Sequence, residues 1–205
     1  MIGFYDYTVV LTYIGLFSGL YGMYQVSEGN IFLAVAALMF AGFCDMFDGP
    51  VARTKKNRST REKRFGTQID SLNDLLCFGV LPSTIGVGLG VHNTFFWPVL
   101  FLFPLGGLIR LAYFNVLEEE RTGILTKGQK TFTGLPITSS ALLLPLVFLL
   151  KDYINVDFVY VYATAMSIIT VLFVMTFKLP KPKTREQIIM AIVGLIILYM
   201  LYRWY

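Results

Sequence analysis

Charge is scarce in this chain: Asp, Glu, Lys and Arg make up only 15% of its 205 residues, while cysteine occurs twice and histidine once. The single histidine, His92, lies beside Asn93 in a short connection, where an imidazole is expected to be solvated, and it is left out of the site. Cys44 and Cys77 fall inside apolar stretches, which excludes a disulfide framework and leaves both thiols to pack as small hydrophobes. No internal repeat, low-complexity tract or second domain is visible, so residues 1–205 read as one transmembrane domain. The beginning of the chain has no basic region and no small-residue cleavage pattern, so the first apolar span is expected to be retained.

What the chain has in excess is apolar surface. Hydrophobic residues make up 56% and aromatics 16%, and the mean hydropathy is +0.65, values of a protein whose solvent is lipid. Apolar runs near the ~20 residues needed to cross a bilayer occur at roughly 7–26, 31–52, 67–90, 94–117, 134–150, 158–177 and 187–203. The expected fold is therefore an all-α integral membrane bundle of seven spans, a count that kinks at Pro82, Pro136 and Pro145 can change by one.

The basic residues give an orientation. They concentrate between Arg53 and Arg64, in the 118–131 loop and between Lys178 and Arg185, that is, after the second, fourth and sixth spans and hence on one side. The positive-inside tendency makes that side, and the N-terminus, cytoplasmic, in a prokaryote-like plasma membrane. The formal net charge of +4 then reflects topology and attraction to anionic membrane lipids, with no nucleic-acid partner implied. Aromatic residues such as Tyr5, Tyr7, Trp97, Tyr202 and Trp204 sit at span ends, as an interfacial belt requires.

Against this background four acids stand out. Asp45, Asp48, Asp70 and Asp74 are the only acidic residues within the apolar stretches. A carboxylate there costs several kcal/mol on insertion scales and marks function by default. Spacings of three and four place each pair on one helix face. Aspartates serving only as solvated partners of nearby Lys and Arg would be scattered instead. Four carboxylates converging in low dielectric repel one another unless cations hold them, and two divalent ions balance the four charges. Oxygen-only ligands favour Mg²⁺, Mn²⁺ or Ca²⁺ over zinc or copper. Gly49, Ala52 and Gly66 leave room for a ligand close to the backbone, and Arg53 offers a donor fork suited to phosphate.

In these residues the chain resembles the CDP-alcohol phosphatidyltransferase family, whose motif is Asp-x2-Asp-Gly-x2-Ala-Arg, a spacer, then Gly-x3-Asp-x3-Asp. Asp45, Asp48, Gly49, Ala52, Arg53, Gly66, Asp70 and Asp74 occupy its fixed positions in order. The spacer, residues 54–65, is longer than the family's common one. Within the family the chain is most similar to the membrane-embedded phosphatidylserine synthases, through Asp70–Ser83, Ile109–Asn115 and Phe132–Thr138. Those synthases usually carry Asn where Gly15 stands and Ala where Asn73 stands. The resemblance implies six core transmembrane helices, the seventh span being peripheral, a homodimer, and a polar cavity facing the cytoplasm with two Mg²⁺ or Mn²⁺ ions.

The activity so implied is transfer of the phosphatidyl group of a CDP-linked lipid to the hydroxyl of L-serine, releasing CMP. Asp45, Asp48, Asp70 and Asp74 would form the metal cluster, with Asp74 also the candidate general base. Gly49, Ala52, Arg53, Gly66 and Thr12 would contact the nucleotide and its phosphates. Serine's carboxylate, or a lipid phosphate, calls for a cation in the cavity. Arg110, the one basic residue in the interior of a hydrophobic run, is the first candidate, and Lys130 with Thr133 the second. Glycerol 3-phosphate or inositol phosphate are the alternative acceptors. A cation or proton transporter, the reading from a different class, would place its acids at the midplane between repeats, which this sequence does not do.

Overall fold

The computed structural model describes residues 3–91, 96–123, 131–151, 153–180 and 184–204. A short 3₁₀ turn, Tyr7–Val9, leads into helix α1 (Val10–Ser27), followed by α2 (Ile31–Thr54). Helix α3 (Thr60–Asp74) runs through a π-helical turn, Leu75–Val80, into α4 (Leu81–Gly88). Then come α5 (Trp97–Gly123), strand β1 (Thr131–Thr133), α6 (Ser140–Phe148), α7 (Phe158–Val174), strand β2 (Lys178–Pro180) and α8 (Thr184–Trp204). The strands pair antiparallel, Phe132 opposite Leu179, so two stretches that read as loops are tied together beside the helices.

Among the described residues, four apolar helices have the length to cross a membrane: Tyr7–Ser27, Ile31–Thr54, Trp97–Glu120 and Arg185–Arg203. Two expected spans are shorter. Pro136 precedes a 3₁₀ turn that delays the fifth helix, and the apolar helical segment is only Ile137–Phe148; the sixth is Phe158–Val174. The third differs in the other direction. Its helix begins at Thr60 rather than near residue 67, because Ser59 and Glu62 form a reciprocal capping box that starts it inside the basic connection.

Close approach of α1 and α2 comes from small side chains. Gly15, Ser18 and Gly22 are buried on α1 against Ala37 and Ala41 of α2, while Gly19 faces Cys77, the packing expected where lipid supplies no hydrophobic drive between helices. Ser18 Oγ donates to the Ala37 carbonyl at 2.8 Å. Larger side chains, Leu38, Phe78, Phe103, Tyr162 and Met166, fill the centre. Ser140 Oγ, at the start of α6, donates to the Phe78 carbonyl at 3.1 Å, and the Tyr162 hydroxyl to the Pro82 carbonyl at 2.9 Å. Helix α8 lies outside, against α2 and α6, burying little beyond Ile197 and Leu201.

A clasp organises the connection between α2 and α3. Lys55 Nζ donates to Asp6 at 2.7 Å and to Glu62 at 2.8 Å. The bond from Lys55, with a smaller contribution from Thr8, lowers the Asp6 carboxyl to about 2. Lys55 and the Ser59 backbone amide lower that of Glu62 to about 2 as well. Both carboxyls lie below their ordinary values, so the clasp contributes fully above pH about 4.5 and is lost as pH falls toward 2. Thermal melts of Lys55→Ala in detergent should show a small deficit at neutral pH that shrinks below pH about 4.5 and closes as pH falls to about 2. A deficit independent of pH would mean the carboxylates are not its source.

Candidate active site

The end of α2 and the middle of α3 present their acidic faces to each other. Oxygens of Asp45, Asp70 and Asp74 all lie within 4.8 Å of one another. Asp45 faces Asp74, and Asp48 faces Asp70, so the fourth carboxylate joins the cluster through its neighbour. Asp48 and Asp74 are buried. One oxygen each of Asp70 and Asp74 is sealed from solvent without a hydrogen-bond donor. Buried carboxylate oxygens without partners are costly. Hard oxygen donors converging at this distance fit a divalent cation such as Mg²⁺ or Mn²⁺.

Two neighbouring helices, α1 and α5, hold the acidic helices in place. From α1, Thr12 Oγ1 donates to Asp48 Oδ2 at 3.2 Å, so Thr12 orients an acid in addition to any contact with a nucleotide. From α5, Asn115 accepts from Ser71 Oγ at 3.0 Å and donates to Gln68 at 3.4 Å, setting the rotation of α3 about its axis. Ser71 and Asn115 were not singled out individually from the sequence. The available signal was an amide five residues after Arg110 in an otherwise apolar helix. The π turn begins immediately after Asp74, re-aiming the chain below the cluster.

Gly15 and Asn73, the two positions read as differing from the phosphatidylserine synthase pattern, touch. A Cβ placed on Gly15 would lie 3.3 Å from Asn73 Nδ2 and 3.6 Å from Cys44 Cβ. The notch left by glycine on α1 is thus filled by an amide from α3, whose oxygen accepts from the Cys77 thiol at 3.4 Å. Asn73 is only 5% exposed and adjoins Asp74, so its packing holds the cluster's deepest acid in place.

Arg110, on α5, has its Nε buried and unpartnered among the described residues, and its charge acts on Asp74. Arg53 is exposed and lies along Gly49, Nη1 being 3.5 Å from where a glycine Cβ would stand. Ala52 and Gly66 are half-buried beside the cluster on α2 and α3. Lys130 and His92 lie outside the described residues, and Thr133 is described only as part of β1. From the carboxylates a cavity of about 530 Å³ extends between α2, α6 and α8. Asp45, Gly49 and Arg53 line it together with Phe40, Phe43 and Leu198, so it joins an acidic, cation-ready end to an apolar trough.

The Gly15–Asn73 contact makes a quantitative prediction. Asn73→Ala and Gly15→Asn should each lower the melting temperature in detergent, the first through a cavity and the second through crowding, at a cost of about 1–3 kcal/mol each. Combined, they should cost less than their sum, by about 0.5 kcal/mol or more. Simple additivity would show that the two positions do not share one space.

Comparison with known proteins gives a consistent picture. A model of the CDP-alcohol phosphatidyltransferase family matches residues 7–176. The CDP-diacylglycerol–serine O-phosphatidyltransferase of Saccharomyces cerevisiae is 34% identical over 157 residues, covering 71% of this chain and 55% of that protein. The enzyme of the same name from Helicobacter pylori (strain ATCC 700392 / 26695) is 31% identical over 150 residues, 72% of this chain and 59% of its own length. Archaetidylserine synthase of Methanothermobacter thermautotrophicus is 28% identical over 176 residues, 84% of this chain and 68% of that protein. The chain thus spans less than two thirds of the yeast and Helicobacter proteins.

Proposed function

Because the chain belongs to the CDP-alcohol phosphatidyltransferase family, we propose that it transfers the phosphatidyl group of a CDP-linked lipid to the hydroxyl of L-serine, releasing CMP. The observation that carries this reading is the convergence of Asp45, Asp70 and Asp74, with Asp48 against Asp70, at the head of an apolar cavity. The serine acceptor is supported by the printed names of the yeast and Helicobacter relatives. It is also supported by Arg110, a cation beside Asp74 with a donor to spare for a carboxylate.

Asp45, Asp48 and Asp70 would hold two divalent cations, Mg²⁺ or Mn²⁺. When bound, these supply the positive charge that neutralises the diphosphate and its CMP leaving group. Thr12 keeps Asp48 turned toward that position. Arg53 takes a phosphate oxygen, and Gly49, Ala52 and Gly66 leave the surface low enough for the nucleotide to lie against it. The lipid chains occupy the trough between α2, α6 and α8. Asp74 accepts the proton of the serine hydroxyl as its oxygen attacks the lipid-side phosphorus; that P–O bond forms as the bond to CMP breaks, with no covalent enzyme intermediate. Serine's carboxylate rests on Arg110. The site faces the cytoplasm of a cell membrane, the N-terminus lies on the same side, and the working unit is a homodimer.

Purified protein in detergent, given a CDP-lipid and each acceptor alcohol in turn, should release CMP with serine and Mg²⁺ or Mn²⁺ and stop on addition of EDTA. Release with glycerol 3-phosphate or inositol phosphate but not serine would reassign the acceptor. Asp74→Asn should abolish turnover while CDP still binds in the presence of metal; loss of CDP binding would make Asp74 chiefly a metal ligand. Arg110→Ala should raise the KM for serine by about tenfold or more, with a smaller change for the CDP-lipid. The reverse pattern would move Arg110 to the lipid phosphate.

A further inference from the structure

Gly66 stands four residues before Asp70, on the same face of α3 and one helical turn, about 5.4 Å, nearer the start of the helix. Its missing side chain is the seat of an arginine that comes from the lengthened 54–65 connection. A Cβ on Gly66 would lie 2.6 Å from Arg58 Nη2 and 3.8 Å from its Cζ. The guanidinium therefore points end-on, Nη2 first, into the space a side chain at Gly66 would take.

Arg58 is poorly used where it rests. Of its five N–H donors, one on Nη2 reaches the Glu62 carbonyl at 3.3 Å, and Nε is buried without a partner. The acids closest in the clasp, Asp6 and Glu62, are engaged by Lys55, and no carboxylate among the described residues pairs with Arg58. An arginine placed to neutralise the aspartates would reach them, but this one stops a turn short. Across the site Arg53 lies in the same manner along Gly49 of α2. Each of the two glycines that flank the carboxylates is thus covered by a guanidinium, one per helix.

We propose that Arg58 is a nucleotide-binding residue, and that with Arg53 it forms a two-arginine clamp on the diphosphate of the CDP group. This rests on the CDP-binding reading given above. When the nucleotide enters, the Arg58 guanidinium leaves the Gly66 notch and turns onto a phosphate oxygen, satisfying the Nε–H that is now without an acceptor. The nucleotide takes the surface it vacates. The longer connection has a function in this account: Lys55 anchors it at both ends of the clasp, and the turn between brings Arg58 over α3.

Isothermal titration of the full chain in detergent, with CDP as the probe and saturating Mg²⁺, tests the proposal. Arg58→Ala should weaken CDP binding about tenfold, and Arg58→Lys by a smaller factor, since an ammonium keeps the charge but not the fork. The melting temperature without nucleotide should be unchanged in both. If Arg58→Ala does not fold, Arg58→Lys against the native chain carries the comparison. Native affinity for CDP in Arg58→Ala would overturn the proposal while leaving the transferase reading intact. A lower melting temperature with native CDP affinity would overturn it too and make Arg58 a cap for α3. Failure of the native chain to bind CDP with metal present would overturn both readings.

Discussion

Four carboxylates held together at the edge of a low-dielectric bundle are the constraint on which the rest of this structure depends. Apart they could be solvated, but together they repel, and two present oxygens that no protein donor reaches. Such carboxylates take up protons unless positive charge is supplied from outside the chain or from arginines at its margin. The geometry provides for both: an oxygen cluster sized for hard cations, and Arg53, Arg58 and Arg110 each standing just short of it. A site that binds cations because its acids repel is also one that draws in a polyanion once those cations are present.

Much of the surrounding fold serves to keep these acids from turning away. Small residues let α1 approach α2 closely enough for Thr12 to reach Asp48. Asn73 fills the hollow at Gly15, and Asn115 ties α5 to α3 through Ser71 and Gln68. Ser140 and Tyr162 donate from neighbouring helices to the backbone carbonyls of Phe78 and Pro82. These are short polar contacts inside an apolar bundle, where the alternative for each group is no partner at all.

Spans and acids were legible in the sequence because each rests on a local signal: the length of an apolar run, and the rarity of a carboxylate within it. Helix ends were less so. The fifth helix shortens at Pro136, whose neighbours adopt a 3₁₀ turn, and the third lengthens because the Ser59–Glu62 capping box outcompetes the polar character of its first turn. The strand pair joining 131–133 to 178–180 could not be read, since neither three-residue stretch has an alternating pattern of its own and the pairing spans two helices.

By itself, the order of residues determined that this chain lives in lipid, that its acids fall on two helix faces, and that the glycines beside them leave space, because periodicity and transfer cost act over a few residues at a time. Tertiary structure alone decided which oxygens meet, that Asn73 occupies the place left by Gly15, that Arg58 covers Gly66, and that α8 walls an apolar trough leading from the carboxylates. Those outcomes depend on distances between residues far apart in the chain. They are set by how closely small side chains let helices approach and by which buried polar groups can find one another.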